Sequence, residues 1–550
     1  MSALPVRKAA SPAQPRLASG AGGAVATAHP LATEAGRDVL AAGGNAMDAA
    51  IAAAAVLGVA QPMMSGLGGD TFVMWRCGRT GQLYSINGSG PAPLALDPER
   101  FRREGRVRLP DRGMLSASVP GGVDAMCTAL ERFGSGRYSL AALLASAIAH
   151  AGEGATVTPS VARFIAINAE LLAASDTARA VFLRDGRPLA EGEVLQQVDL
   201  ARTLQALAQG GRDAFYCGDF ARSLARHSEA RGGAFTLEDL AGFRSEVVEP
   251  IAVRWGDRTV YTNPPVGQGI VLLEAAGILA QLQARRGRPD AVLRNHWMIE
   301  AMKLAFADRN RYIGDPRFVS NPLERLLGAD HLAARSARVN DAAVIGTADD
   351  ARSSFGDGDT TCLAAADRDG NVAAFITSLS TPFGAGDMVA GTGVLMNNRA
   401  GRGFTLDPAL PNCLAPGKRT VSTLHAYIVC DASGPILAGG TSGGDGQPQW
   451  NLQILDAILN QGTAPLEAID QPRWELTPGT DPVGIDRPYE LKFDARFDRG
   501  NVDALAALGH TISKTPLGML GAAQVVALGA DGTVTAAADG RADGSALALD

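Results

Sequence analysis

The sequence predicts an α+β sandwich made by both halves of the chain together, and three observations carry that prediction. Helical apolar periods dominate the first two-thirds. Three glycine-containing hairpins, around Asp369-Gly370, Ser433-Gly434 and Asp531-Gly532, dominate the last third. Between them, residues 351–359 are polar and rich in Gly and Asp with no apolar period, which reads as an exposed loop and not as a boundary between independent domains.

Taken in order, residues 1–23 carry basic side chains but no apolar core ahead of a Pro/Ala/Gly run, so they read as a disordered tail rather than a secretory signal, which favours the cytoplasm. Pro30 suits the first position of a helix that Gly43-Gly44 closes after Leu40. Asn45 and Asp48 form a capping pair for an Ala-rich helix reaching Val59, where Gln61-Pro62 ends it. The run Ser65-Gly66-Leu67-Gly68-Gly69-Asp70 lacks the Gly-Lys-Ser/Thr ending of a P-loop and the strand-before, helix-after setting of a dinucleotide site, so nucleotide binding is not expected. Residues 71–76 and 82–86 pair as a hairpin. Val123, Met126, Cys127 and Leu130 share one helical face, and Leu140, Leu143, Leu144 and Ile148 share the next. Residues 200–240 are again helical, 252–261 form a hairpin about Gly256-Asp257, and 297–312 form a long helix that ends at Gly314-Asp315-Pro316. The charged residues of that helix read as solvated or paired. A further helix covers 449–459.

With 46% hydrophobic residues in 550, the chain has material for a large core. A net charge of -7 leaves no basic footprint for nucleic acid, and no apolar run is long enough to span a membrane, so the expected partners are small molecules. The six cysteines are scattered, no His/Cys cluster has metal-ligand spacing, and neither metal nor cofactor is implied.

The chemistry is expected at the start of the first of those hairpins, residues 360–366 and 372–380. A threonine hydroxyl is a poor nucleophile until a base takes its proton, and the threonine's own α-amine can be that base. Its reference pKa of about 7.7 to 8.0 leaves a useful free-base fraction at neutral pH. Thr360 lies deep in the chain, so the idea requires a cut between Asp359 and Thr360, most simply by Thr360 attacking the preceding carbonyl. The plain alternative is that Thr-Thr suits the start of a strand.

Attack on an amide places negative charge on the carbonyl oxygen, and two adjacent backbone N–H groups hold it economically. Gly443-Gly444 suits that task, with a simple turn as the alternative. The same stretch offers a rival. Gly440-Thr441-Ser442-Gly443-Gly444 fits a serine nucleophile elbow, and Asp470 and His510 follow in the order of an α/β-hydrolase triad, although the region upstream is hairpin and loop instead of alternating strand and helix.

The motifs Ala26-Thr27-Ala28-His29-Pro30, Gly43-Gly44-Asn45-Ala46-Met47-Asp48, Met64-Ser65-Gly66-Leu67-Gly68-Gly69, Ala305-Phe306-Ala307-Asp308-Arg309, Gly314-Asp315-Pro316, the Thr360 hairpin and Gly443-Gly444 together resemble the γ-glutamyltranspeptidase family of N-terminal-nucleophile hydrolases. The resemblance runs from about Ala24 to the C-terminal region. It implies a four-layer αββα sandwich and a precursor that cuts itself into a mainly helical large subunit, 24–359, and a hairpin-rich small subunit, 360–550. It also implies Thr360 as nucleophile with Thr361 as the fallback, Gly443 and Gly444 as oxyanion hole, and Ser378 and Ser380 as substrate contacts on the second strand.

The sequence also departs from that family. Asn87 stands where γ-glutamyl enzymes place an arginine for the substrate α-carboxylate, and Asn397-Asn398 is followed by Arg399 and Arg402 with no acid for the α-amino group. Ser422 and Thr423 match the family's paired carboxylate contact. The expected substrate is therefore a small amide with a carboxylate but no free α-amine, in the manner of the oxamate-hydrolysing branch, with water or an amine as acceptor. A true γ-glutamyltransferase or glutathione hydrolase is the second reading. A binding relative without turnover is the third, because Cys362 replaces the histidine common two residues after the nucleophile.

Overall fold

The period-two pattern of the hairpin about Gly370 sets the layering of the fold. The computed structural model describes residues 14–342, 344, 359–479, 488–515, 517–518 and 521–550. The expected loop ahead of Thr360 falls on 351–358, outside the described residues.

The strands that form the two main sheets are β1 (Leu17–Gly20), β2 (Gly23–Thr27), β3 (Asp70–Arg76), β4 (Leu83–Gly88), β5 (Glu246–Val248), β6 (Ile251–Trp255), β7 (Arg258–Thr262), β8 (Asp359–Asp367), β9 (Val372–Ser380), β10 (Tyr427–Asp431), β11 (Gly434–Thr441), β12 (Ala523–Leu528), β13 (Val534–Ala538) and β14 (Ser545–Leu549). One sheet runs β1-β13-β12-β11-β10-β7-β6 and the other β14-β2-β8-β9-β3-β4-β5, every neighbouring pair antiparallel.

Along β8, Cys362, Ala364 and Ala366 face the space between the sheets, where they meet Phe72, Ile376, Ala438 and Val526. Leu363 and Ala365 face the other way, into a core shared with α1 (Pro30–Ala41), α2 (Ala46–Ala60) and α3 (Gly122–Phe133). The far side of the first sheet packs on α4 (Gly269–Arg286), α5 (Ala291–Tyr312) and α6 (Gly446–Leu459). This is the αββα sandwich. Both faces of both sheets are covered, which is why the strands read as near-continuous apolar runs.

The local signals decide where elements stop. Pro30 opens α1, and Asn45 and Asp48 cap α2 reciprocally as a capping box. Asp367 ends β8 by accepting from Ala46 N at 2.8 Å, so the hairpin and α2 fix one another. Of the charged residues of α5, Glu300, Lys303, Asp308 and Arg309 are buried; Lys303 donates to Glu300 at 2.6 Å, and Asp308 pairs with Arg335.

Two expectations need correction. Residues 14–23 are not tail: Leu17–Gly20 pairs with Val534 to Ala537, and Gly20 packs where a Cβ would lie 2.0 Å from the Leu549 carbonyl oxygen. Small residues make this a close-packed strand with little apolar signal. The mainly helical segment before Thr360 supplies not only the two expected hairpins, β3–β4 and β6–β7, but also β1, β2 and β5, which were not expected.

Candidate active site

Thr360 is buried at the start of β8, at 2% exposure. Asp359 pairs with Ser380 and Thr361 with Thr377, so β9 carries an extra residue here, and Ser380 adopts φ 87° in the left-handed region. Such a bulge re-aims side chains. Ser380 N donates to Ser378 Oγ at 2.8 Å, which turns that hydroxyl toward Thr360, whose Oγ1 donates to it at 3.2 Å. A second group arrives from α6: Gln447 Nε2 donates to Thr360 Oγ1 at 3.4 Å. Thr361 points the other way and donates to Gln61 Oε1 at 3.1 Å on the helical side.

Gly443 and Gly444 follow β11 with φ 109° and 54°. A Cβ on Gly443 would lie 2.1 Å from the Trp450 ring, so packing and backbone both demand glycine. Their carbonyls accept from Gly446 N and Gln447 N at 2.9 and 3.2 Å. Among the described residues no acceptor meets the N–H of either glycine. Gln447 thus touches both Gly444 and Thr360.

The serine elbow is not assembled. Ser442 Oγ accepts from Ala522 N at 2.7 Å, Asp470 pairs with Arg16 at 2.7 Å, and His510 Nε2 lies 2.8 Å from His296 Nδ1. The three residues of that order belong to three separate networks.

The expected substrate contacts are partly turned inward. Asn87 Oδ1 accepts from Ser89 N and Oγ at 3.0 and 2.8 Å, and its Nδ2 donates to Glu246 at 3.4 Å, so its carboxamide serves the fold. Arg399, 2% exposed, donates through Nε to Asp70 at 2.9 Å and through Nη1 to Thr423 Oγ1 at 3.4 Å, while its Nη2 is buried without a partner among the described residues. Asp70 lies opposite Ser378 in the β3–β9 register, which places Arg399 within two side chains of Thr360. Arg402 lies 3.8 Å from Asp445. Both arginines are therefore ion-paired. Ser422 Oγ accepts from Leu424 N at 3.3 Å.

Two residues that hold this arrangement, Asp70 and Gln447, were missed in the sequence. Asp70 gave no signal, because a charge beside glycines reads as a turn. Gln447 gave none, because it lies ahead of the helix expected from 449; in the structure it sits in the first turn of α6 with buried neighbours. Asp315 accepts from Arg419 N at 2.7 Å, so the Gly314-Asp315-Pro316 motif steadies the segment leading to Ser422. Cys362, pushed by burial up to about 12, stays a thiol and donates to Gln524 Oε1 at 2.6 Å and Gly440 O at 3.1 Å.

Among the described residues the fold also gathers two groups that sequence spacing could not show, His296 with Glu300 and His510, and Glu274 with Asp308 and His331. Either offers metal-ligand atoms. Lys303 on Glu300 and Arg335 on Asp308 already supply positive charge to each. Among the described residues no helix is long and apolar enough to cross a membrane.

A family model described as gamma-glutamyltranspeptidase matches residues 32–549. The chain belongs to that family. Among γ-glutamyltranspeptidase relatives, a glutathione hydrolase-like YwrD proenzyme of Bacillus subtilis is 34% identical, with 96% of this chain and 98% of that one covered. An oxamate amidohydrolase proenzyme of Klebsiella pneumoniae is 32% identical over 94% of this chain and 97% of its own. A solved cephalosporin acylase from Bacillus halodurans superposes with a TM-score of 0.87 at 34% identity, covering 98% of both chains.

Proposed function

We propose that this γ-glutamyltranspeptidase-family chain is a precursor that cuts itself between Asp359 and Thr360, and that Thr360 then hydrolyses or transfers the acyl group of a small amide. One observation carries the reading: a buried threonine hydroxyl, held by Ser378 and Gln447 at the start of a strand, shares Gln447 with the Gly443-Gly444 turn. Proenzyme relatives support the self-cutting half.

In the cut protein the new α-amine takes the Thr360 hydroxyl proton as the oxygen attacks the amide carbonyl. The N–H groups of Gly443 and Gly444 donate to the oxyanion, where loss of one donor typically costs about 2.7 to 4 kcal/mol. The α-ammonium returns the proton to the departing nitrogen, leaving an ester on Thr360. Water or an amine then attacks that ester, with the α-amine again as base, and frees the acyl product. Ser378, Ser380, Ser422 and Thr423 supply orienting hydrogen bonds.

The substrate proposed is an amide with a carboxylate and no free α-amine. Asp70 and Asp445 already face Arg399 and Arg402, which leaves no uncommitted acid among them for an ammonium, while Arg399 Nη2 is buried with no partner among the described residues. The relatives named for oxamate and cephalosporin substrates agree with this. Glutathione hydrolysis is the second reading, favoured by the name of the YwrD relative.

Intact-mass measurement of active protein tests the cut: two pieces, 1–359 and 360–550, are expected, and a single uncut chain in active material would overturn the mechanism. Side-by-side assay of oxamate and a γ-glutamyl anilide tests the substrate. Efficient turnover of the anilide would overturn that half.

A further inference from the structure

We propose that Gln447 is the residue that positions the nucleophile: its Nε2–H holds the Thr360 hydroxyl, and after the cut its Oε1 accepts from the new α-amine. The inference rests on the reading of Thr360 given above.

The side chain of Gln447 is fully buried at the first turn of α6. Its backbone is tied down at both ends, with N donating to Gly444 O at 3.2 Å and O accepting from Thr441 Oγ1 at 3.4 Å. One end of the carboxamide meets Thr360 Oγ1 at 3.4 Å. The other end, Oε1, is buried with no partner among the described residues. A buried acceptor left without a donor is costly, so such an atom calls for a partner.

Cutting the chain creates that partner. The peptide nitrogen of Thr360 carries one hydrogen, whereas the amine released at the same position carries at least two. It lies three bonds from Oγ1, and the two ends of a carboxamide share one carbon, so the group that touches Oγ1 through Nε2 keeps Oε1 within reach of the amine. Accepting one amine hydrogen leaves the nitrogen lone pair free to face the hydroxyl. The Nε2–H meanwhile stabilises the oxygen as its proton leaves. A residue that only filled space would do neither.

Two full-chain variants test this, Gln447→Met, which keeps the size and removes both hydrogen bonds, and Gln447→Glu. Three readouts need no substrate: the rate of self-cutting by intact mass, the melting temperature, and the α-amine titration, read from the pH dependence of Thr360 carbamylation by cyanate. Gln447→Met is expected to melt like the wild type and cut about 10- to 100-fold more slowly, the scale of losing a hydrogen bond to a charged group. Gln447→Glu is expected to raise the α-amine pKa by about one unit, because a carboxylate beside an ammonium favours the charged form. If Gln447→Met fails to fold, the titration in Gln447→Glu decides alone. Wild-type cutting rates in Gln447→Met with an unmoved amine pKa in Gln447→Glu would overturn the role of Gln447 and leave Thr360 standing. A wild type that never cuts at Thr360 would overturn the underlying reading instead.

Discussion

Thr360 and Thr361 are adjacent, chemically alike and equally buried, and the pleat alone separates them. One hydroxyl meets Ser378 and Gln447 near the Gly443-Gly444 turn; the other meets Gln61, which itself donates to Ala28 O at 2.9 Å as part of the helical layer. Composition could not choose between them, since both suit a strand. The expected outcome is that Thr360→Ala leaves a folded, uncut and inactive chain, whereas Thr361→Val cuts normally and loses only about 1 kcal/mol from its hydrogen bond to Gln61. Intact mass and thermal melting check both, and cutting in Thr360→Ala would sink the assignment. Arg399 and Arg402 teach a different lesson. Their charge was legible in the sequence, but whether that charge is free was not, because the acids that pair with them, Asp70 and Asp445, both lie far away in the chain.

At the scale of elements, the hairpins and the starts of α1 and α2 were legible because each rests on local chemistry. Asp369-Gly370 turns with Gly370 at φ 74°, and Asn45 with Asp48 caps α2. What escaped was whatever depends on close approach of distant backbone. The glycine run 65–70 resembles a ligand loop in composition, yet a Cβ on Gly69 would lie 2.4 Å from the Ser378 carbonyl oxygen, and Gly69 O accepts from Gly121 N and Gly122 N at 3.1 and 2.9 Å. The loop is a wedge behind the bulge that aims Ser378. Gly69→Ala should therefore cost about 2 kcal/mol by overpacking and slow self-cutting as well, because the displaced atom belongs to Ser378 itself. A variant that melts lower but cuts at the normal rate would show that the wedge supports the fold without setting the site.

For the whole molecule, sheet order has a consequence that no single element shows. β8 and β9 lie between β2 and β3, and β14 lies beyond β2, so each proposed subunit supplies strands inside the other's sheet. After cutting, the two pieces should co-elute on gel filtration and separate only in denaturant. Buried histidines add a pH limit to that joint stability. His29 caps α1 by accepting from Leu31 N through Nδ1, and burial, with His150 nearby, holds it down to about 3. His425, whose Nε2 lies 2.9 Å from Asn451 Nδ2, is held by burial at about 4, and His510 at about 3 by burial, Lys303 and His296. Each folded value lies below the unfolded value near 6.5, so the unfolded chain binds more protons as the solution is acidified. This stabilising contribution is complete above about pH 6.5 and falls as pH drops toward 4. At pH 5 the loss is about 2 kcal/mol per histidine, in a window where carboxylates contribute less. Melting temperature should therefore decline between pH 6.5 and 5. His29→Asn, which keeps a capping acceptor but cannot titrate, should decline less steeply than the wild type, and an identical slope would show that His29 is not among the groups that set the acid limit.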